Sequence, residues 1–191
     1  ANWDTAQTVT VTGADDDLVD GTVSSTTSIS VVDAASDDNF DAVADQTVSV
    51  STTDDDVAGF TIVELEGSTS VSEAGSTDTF TVVLDAQPDT NVILSIISGD
   101  TGEATVTSSL TFTSANWDTA QSVTVTGVDD HLVDGTETST ITVAVVDVAS
   151  DDNFDAVADQ TVSVSTTDDD VAGFTIVELE GSTAVDESGT T

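Results

Sequence analysis

The sequence predicts an all-β protein built from tandem immunoglobulin-like, antiparallel β-sandwich domains, and three observations carry that prediction. Val and Ile alternate with Thr and Ser along most of the chain, and apolar residues make up 37 % of it. β-branched side chains of this kind suit a pleated, half-buried surface. A long segment also repeats. Asn2-Trp3-Asp4-Thr5-Ala6-Gln7 returns as Asn116-Trp117-Asp118-Thr119-Ala120-Gln121, an offset of 114 residues, and 63 of the 77 pairs between 1–77 and 115–191 are identical. That period is too long for a solenoid rung and matches one sandwich domain. Finally, Gly, Asp and Ser cluster between the alternating segments, as turn residues do.

The repeat sets the expected boundaries. The unit closes after Asp54-Asp55-Asp56 and again after Asp168-Asp169-Asp170. Residues 57–170 are then one complete repeat, 1–56 the C-terminal half of a preceding one and 171–191 the start of a following one. Half a sandwich leaves its core open and its edges unpaired. The sequence therefore reads as a window onto a longer array.

Seven strand segments follow within 57–170. Phe60 to Val63, with a short second piece near Val71, is the first. Phe80, Val82 and Leu84 mark the second; Val92, Leu94 and Ile96 the third. Val106 with Leu110 and Phe112 marks a fourth region. Val123 and Val125, then Ile141, Val143 and Val145, then Val162 and Val164 mark the last three. A period of two means one face on a core and the other in water. No helical period is visible.

Charge narrows the function. The chain has 38 acidic residues, no Lys or Arg and one His, for a formal net charge of −38. Nucleic acid and anionic membrane surfaces, which call for basic patches, are excluded as expected partners. No apolar run is long enough to insert in a bilayer as a helix. The absence of Cys removes disulfides, thiolate metal sites and a cysteine nucleophile. Without Lys or Arg, trypsin has no cleavage site.

The acidic residues gather at turns: Glu73, then Asp100 and Glu103, then Asp129-Asp130-His131-Leu132-Val133-Asp134-Gly135, then Asp168-Asp169-Asp170. In an immunoglobulin-like sandwich these positions can meet near one end, depending on how the strands divide between the sheets. Carboxylates 4 Å apart repel by about 1 kcal/mol even in water and by more at lower dielectric. A hard divalent cation relieves that repulsion, and calcium takes about 6–8 oxygen ligands. Transition metals favour His or Cys ligands, which are almost absent. Neither the EF-hand spacing nor the Gly-rich nonapeptide calcium repeat is present.

Several stretches carry a likeness to a known family: Val71-Ser72-Glu73, Ser76 through Leu84, Leu110-Thr111-Phe112-Thr113, Asn116-Trp117, Val123 through Asp130, and Thr166 through Asp170. On these the unit resembles the Calx-β family of sandwich modules, especially the long arrays in large bacterial surface and adhesin proteins. The resemblance spans 57–170 and both partial copies. It implies calcium ligands at the end of the sandwich next to the neighbouring domain: Glu73, Asp129, Asp130, Asp134, Asp168, Asp169 and Asp170, with Asp100 or Glu103 at a further loop position. The matching positions in the first copy are Asp15, Asp16, Asp20, Asp54, Asp55 and Asp56, with Glu187 in the last segment. Asp134 departs from the pattern, standing where the family commonly has Glu.

His131 faces Asp17 in the other copy, which marks it as a variable loop position. Trp3 and Trp117 are expected to pack at a sandwich edge, and Asp151-Asp152-Asn153-Phe154-Asp155 to form a solvated turn. A Ser–His–Asp set would need His131, which one copy lacks, so no catalytic site is expected. The expected function is a structural module of an extracellular protein, a calcium-stiffened spacer that contacts neighbouring repeats. The alternatives are a subunit of a self-assembling filament, touching other copies of itself, and a carbohydrate or cell-surface binding module.

Overall fold

A computed structural model of the protein describes residues 3–178 together with 181, 185 and 187. Two antiparallel strands, β1 (Val23–Ile29) and β2 (Gln46–Thr52), form a ribbon whose register runs from Val23 opposite Thr52 to Ile29 opposite Gln46. The remaining strands build a two-sheet sandwich. They are β3 (Phe60–Glu64), β4 (Thr69–Ser72), β5 (Thr77–Leu84), β6 (Val92–Ser98), β7 (Ala104–Val106), β8 (Ser109–Phe112), β9 (Gln121–Gly127), β10 (Thr136–Val145) and β11 (Gln160–Thr167). One sheet has the order β4-β11-β10-β6-β8 and the other β3-β5-β9-β7. The only helical pieces among the described residues are single 3-10 turns.

Two of the seven expected segments divide between the sheets. The first begins as β3 beside β5, and then a jog at Leu65–Gly67 carries it to β4 beside β11. Glu66 and Gly67 take φ of 58° and 80° in that jog. This left-handed conformation is natural for glycine and uncommon for Glu. The pairing of β4 with β11 is parallel, while every other strand pair is antiparallel. The fourth region splits the same way, β7 beside β9 and β8 beside β6. Each split closes one edge of the sandwich by binding both sheets with a single stretch of chain.

The core lies between the sheets, with Phe80, Phe112, Phe154, Leu94 and Ile141 fully buried. All the buried core residues, from Phe60 to Val164, fall within 57–170. Trp117 packs against this core, whereas Trp3 is exposed. Phe154 belongs to the loop between β10 and β11. Instead of the solvated turn expected there, that loop buries Asp151, which accepts from the Asn153 and Thr90 N–H groups at 3.0 and 2.8 Å and ties the loop to the turn after β5.

The first copy shows what the partner strands supply. Phe40, Val48 and Ile29 are exposed, while their counterparts Phe154, Val162 and Val143 are buried. Truncating a buried Phe costs about 3–5 kcal/mol, from lost transfer energy and the cavity left behind. Phe154→Ala is therefore expected to lower the thermal midpoint of 57–170 strongly, and Phe40→Ala to leave it unchanged. Calorimetric melting of both variants checks this, and equal effects would contradict the assignment of the core.

Candidate metal site

Four chain segments meet at one end of the sandwich. β4 runs into Glu73, whose N–H donates to the Thr167 carbonyl at 3.0 Å and so prolongs the pairing with β11. Glu103 stands just before β7, and its carbonyl accepts from Val128 N–H at 2.9 Å. β9 stops at Gly127 and opens into the loop 128–135, which carries Asp129, Asp130 and Asp134. β11 stops at Thr167 and releases Asp168, Asp169 and Asp170. Gly127 is needed at this crossing, because a Cβ there would lie 2.0 Å from the Ser72 carbonyl oxygen.

The loop is held by its own carboxylates. Asp130 accepts from Leu132 N–H at 2.6 Å. Asp168 accepts from Gly135 N–H at 2.9 Å and from Asp170 N–H at 2.7 Å. Gly135 has φ of 88°, which turns its N–H toward Asp168 at little steric cost.

Three sets of carboxylates then converge: Glu73 with Asp134 and Asp168, Glu73 with Asp130 and Asp170, and Glu103 with Asp130 and Asp134. Within each set the ligand oxygens lie no more than 4.8 Å apart. Glu73 is 1 % exposed. Neither of its carboxylate oxygens has a hydrogen-bond partner, and the same holds for Glu103 Oε2 and Asp170 Oδ2. Buried polar atoms are normally satisfied. With no Lys or Arg in the sequence, no basic side chain except His131 is available to satisfy them.

Burial pushes the Glu73 carboxyl up to about 7, with Asp130, Asp168, Asp134 and Glu103 adding repulsion. Glu103 is raised too, first by burial and then by Asp134, Asp100 and Asp130. Asp168 goes the other way, because the Gly135 and Asp170 N–H groups stabilise its charge. Each direction has its own cause: desolvation and like charge disfavour the ion, donated hydrogen bonds favour it.

Not every acidic residue singled out in the sequence joins these sets. Asp129 and Asp169 line the same depression as Glu73 but belong to none of the three. Asp100 accepts from Gly102 N–H at 2.9 Å in its own turn, and Glu103, two positions beyond that glycine's predecessor, occupies the cluster. In the first copy Asp15, Asp16, Asp20, Asp54, Asp55 and Asp56 line one cavity. Its turn chemistry is the same, with Asp54 accepting from Gly21 N–H at 2.7 Å and from Asp56 N–H at 2.9 Å. Within the sequence that copy has no counterpart of Glu73 or Glu103. Glu187 is exposed.

No protein-family model matches the chain, and no curated protein matches it. Among solved structures it is similar to the apo form of the Calx CBD1 domain, with 16 % identity and a TM-score of 0.41 over 58 % of this chain and 98 % of that one. The E. coli chaperone DraB gives 10 % identity and 0.42 over 60 % and 59 %. Domains 4 and 5 of the S-layer protein SbsC give 22 % identity and 0.38 over 64 % and 52 %. Likenesses this distant carry no functional conclusion.

The raised carboxyl sets a pH dependence. Between the ordinary Glu range and about 7 the folded chain holds a proton on Glu73 that the unfolded chain has released. Stability in chelator therefore rises as pH falls through that window. Below about 3.8 it falls again, as Asp54 and Asp168 lose the charge that their N–H donors stabilise. Thermal melting in chelator is expected to give a higher midpoint at about pH 5.5 than at about pH 7.5, and Glu73→Gln to flatten that difference. A midpoint that climbs with pH across the window would contradict this.

Proposed function

We propose that the chain is a calcium-stiffened structural module of an extracellular array, and that Glu73, Glu103, Asp130, Asp134, Asp168 and Asp170 hold the ion or ions at the C-terminal end of each repeat. The observation that carries this reading is the set of buried carboxylate oxygens without partners, Glu73 Oε1 and Oε2 foremost, at the meeting point of four segments. Oxygen-only donors, many of them charged and set on loops, suit calcium better than magnesium, which retains more of its water. Bound there, the cation supplies the positive charge that the chain lacks. Asp129 and Asp169, which line the same depression, would complete the oxygen shell.

The repeat assignment belongs to the same proposal. Residues 57–170 form one complete unit, 1–56 the C-terminal half of its predecessor and 171–191 the start of its successor. Near-identical copies serve length and rigidity better than a single catalytic centre. The described residues contain no helix long and apolar enough to cross a membrane. Calcium abundant outside cells saturates even weak extracellular sites. No observation favours the filament or carbohydrate reading over this one.

Calorimetric titration of the full chain with calcium, paired with melting in calcium and in chelator, tests the proposal. Binding is expected, and free calcium about a hundredfold above Kd adds about 2.7 kcal/mol to the stability of the folded state. Glu73→Gln and Asp134→Asn are expected to weaken binding while the chelated proteins remain folded. The absence of binding heat at millimolar calcium, with an unchanged midpoint, would sink the proposal.

A further inference from the structure

The loop that presents Asp15, Asp16 and Asp20 also touches the part of the chain that follows it. Leu18 forms a parallel bridge with Gln87, in the turn between β5 and β6. Gln87 N–H donates to the Asp17 carbonyl at 2.8 Å. The turn is itself anchored, since Gln87 Nε2 donates to the Ser114 carbonyl at 2.8 Å. Beside it, Val19 shares a groove with Val57, Ala58 and Val157. Leu18 and Val19 are half-buried there.

The equivalent loop of 57–170 has the same parts but no such cover. Asp15 to Gly21 and Asp129 to Gly135 differ only at Asp17 and His131. The contact uses the backbone carbonyl of that residue, which leaves its side chain free to vary. Both loops hold the same turn, with Leu18 N–H on Asp16 Oδ1 at 3.0 Å and Leu132 N–H on Asp130 Oδ1 at 2.6 Å. Yet Leu132 and Val133 are 62 % and 58 % exposed. One stretch of the receiving surface recurs as well, since Val57-Ala58 returns as Val171-Ala172.

We infer that the Leu-Val step of this loop is the joint between successive repeats. Leu132 and Val133 seat on the β5–β6 turn and the β10–β11 loop of the following copy, as Leu18 and Val19 seat on 57–170. The inference rests on the calcium reading above and deepens it. Asp130 and Asp134 flank the step and both belong to the converging carboxylate sets. A cation held by both fixes the loop in its seated shape, so ion binding and joint formation reinforce each other, and such coupling is reciprocal.

The test uses the full chain lengthened by one period, so that 57–170, whose core closes on itself, occurs twice in succession. The sequence has no cysteine, so Ser163→Cys at an exposed position of β11 in both complete repeats places one spin label in each. Dipolar spectroscopy then reads the distance distribution between repeats, and calorimetry reads calcium binding. A narrow distribution in calcium is expected, broadening severalfold in chelator. Leu132→Ser with Val133→Ser in the first repeat is expected to broaden it even in calcium, with binding retained at a few-fold weaker affinity. A distribution that stays narrow in this variant while calcium still binds overturns the joint and leaves the calcium reading standing. Equal widths in calcium and chelator, with binding intact, overturn the coupling. No calcium binding overturns both.

Discussion

A carboxylate with no hydrogen-bond partner, 1 % exposed, sits where four segments of the sandwich meet. Removing such a charge from water is expensive unless an opposite charge replaces the lost hydration. The chain contains no Lys or Arg to do so. Much of the local architecture serves to bring more negative charge to the same place: the parallel pairing of β4 with β11 delivers Glu73, the β9–β10 loop delivers Asp130 and Asp134, and the end of β11 delivers Asp168 and Asp170. In the absence of a cation the cluster relieves itself in part by holding a proton on Glu73. A divalent ion, as proposed, would relieve it more completely.

Most of the fold was legible in the sequence because the period-two pattern survives burial. Segments such as Phe80-Val82-Leu84 and Val123-Val125 alternate cleanly, and their strands keep that alternation. The sheet switches were not legible. Nothing in Phe60 to Ser72 or Ala104 to Phe112 distinguishes a bent strand from two strands in different sheets, since both sheets demand the same inward apolar positions. The cluster was partly legible. Acidic residues at strand ends pointed to it, but choosing between Asp100 and Glu103 depended on how the turn folds, and the turn spends Asp100 on its own backbone. The buried role of Asp151 was hidden for a similar reason: its partner Thr90 lies 61 residues away.

The repeat provides an internal control on how far local sequence decides structure. Gln7 to Gly13 and Gln121 to Gly127 differ at one position. The second is β9, paired with β5 and β7, while the first forms no strand. Val9 and Val11 are exposed, where Val123 and Val125 are buried. Propensity and pattern are the same in both, so the difference comes from partners. The turn around Gly21 behaves otherwise, because its bonds to Asp54 come from the copy itself and match those around Gly135. Short-range polar contacts recur within 1–56, whereas its described residues include no buried core.

In the proposed array, one sandwich unit would join the next at a loop flanked by the carboxylates of Asp130 and Asp134. Calcium between the carboxylates of Glu73, Asp130, Asp134 and Asp168 is proposed to answer this charge. A crystal structure of the protein grown in calcium, with an anomalous difference map, tests it most directly. An anomalous peak is expected within the cluster, with carboxylate oxygens at about 2.3–2.6 Å from it. A cluster filled only by water, without an anomalous peak, would contradict it.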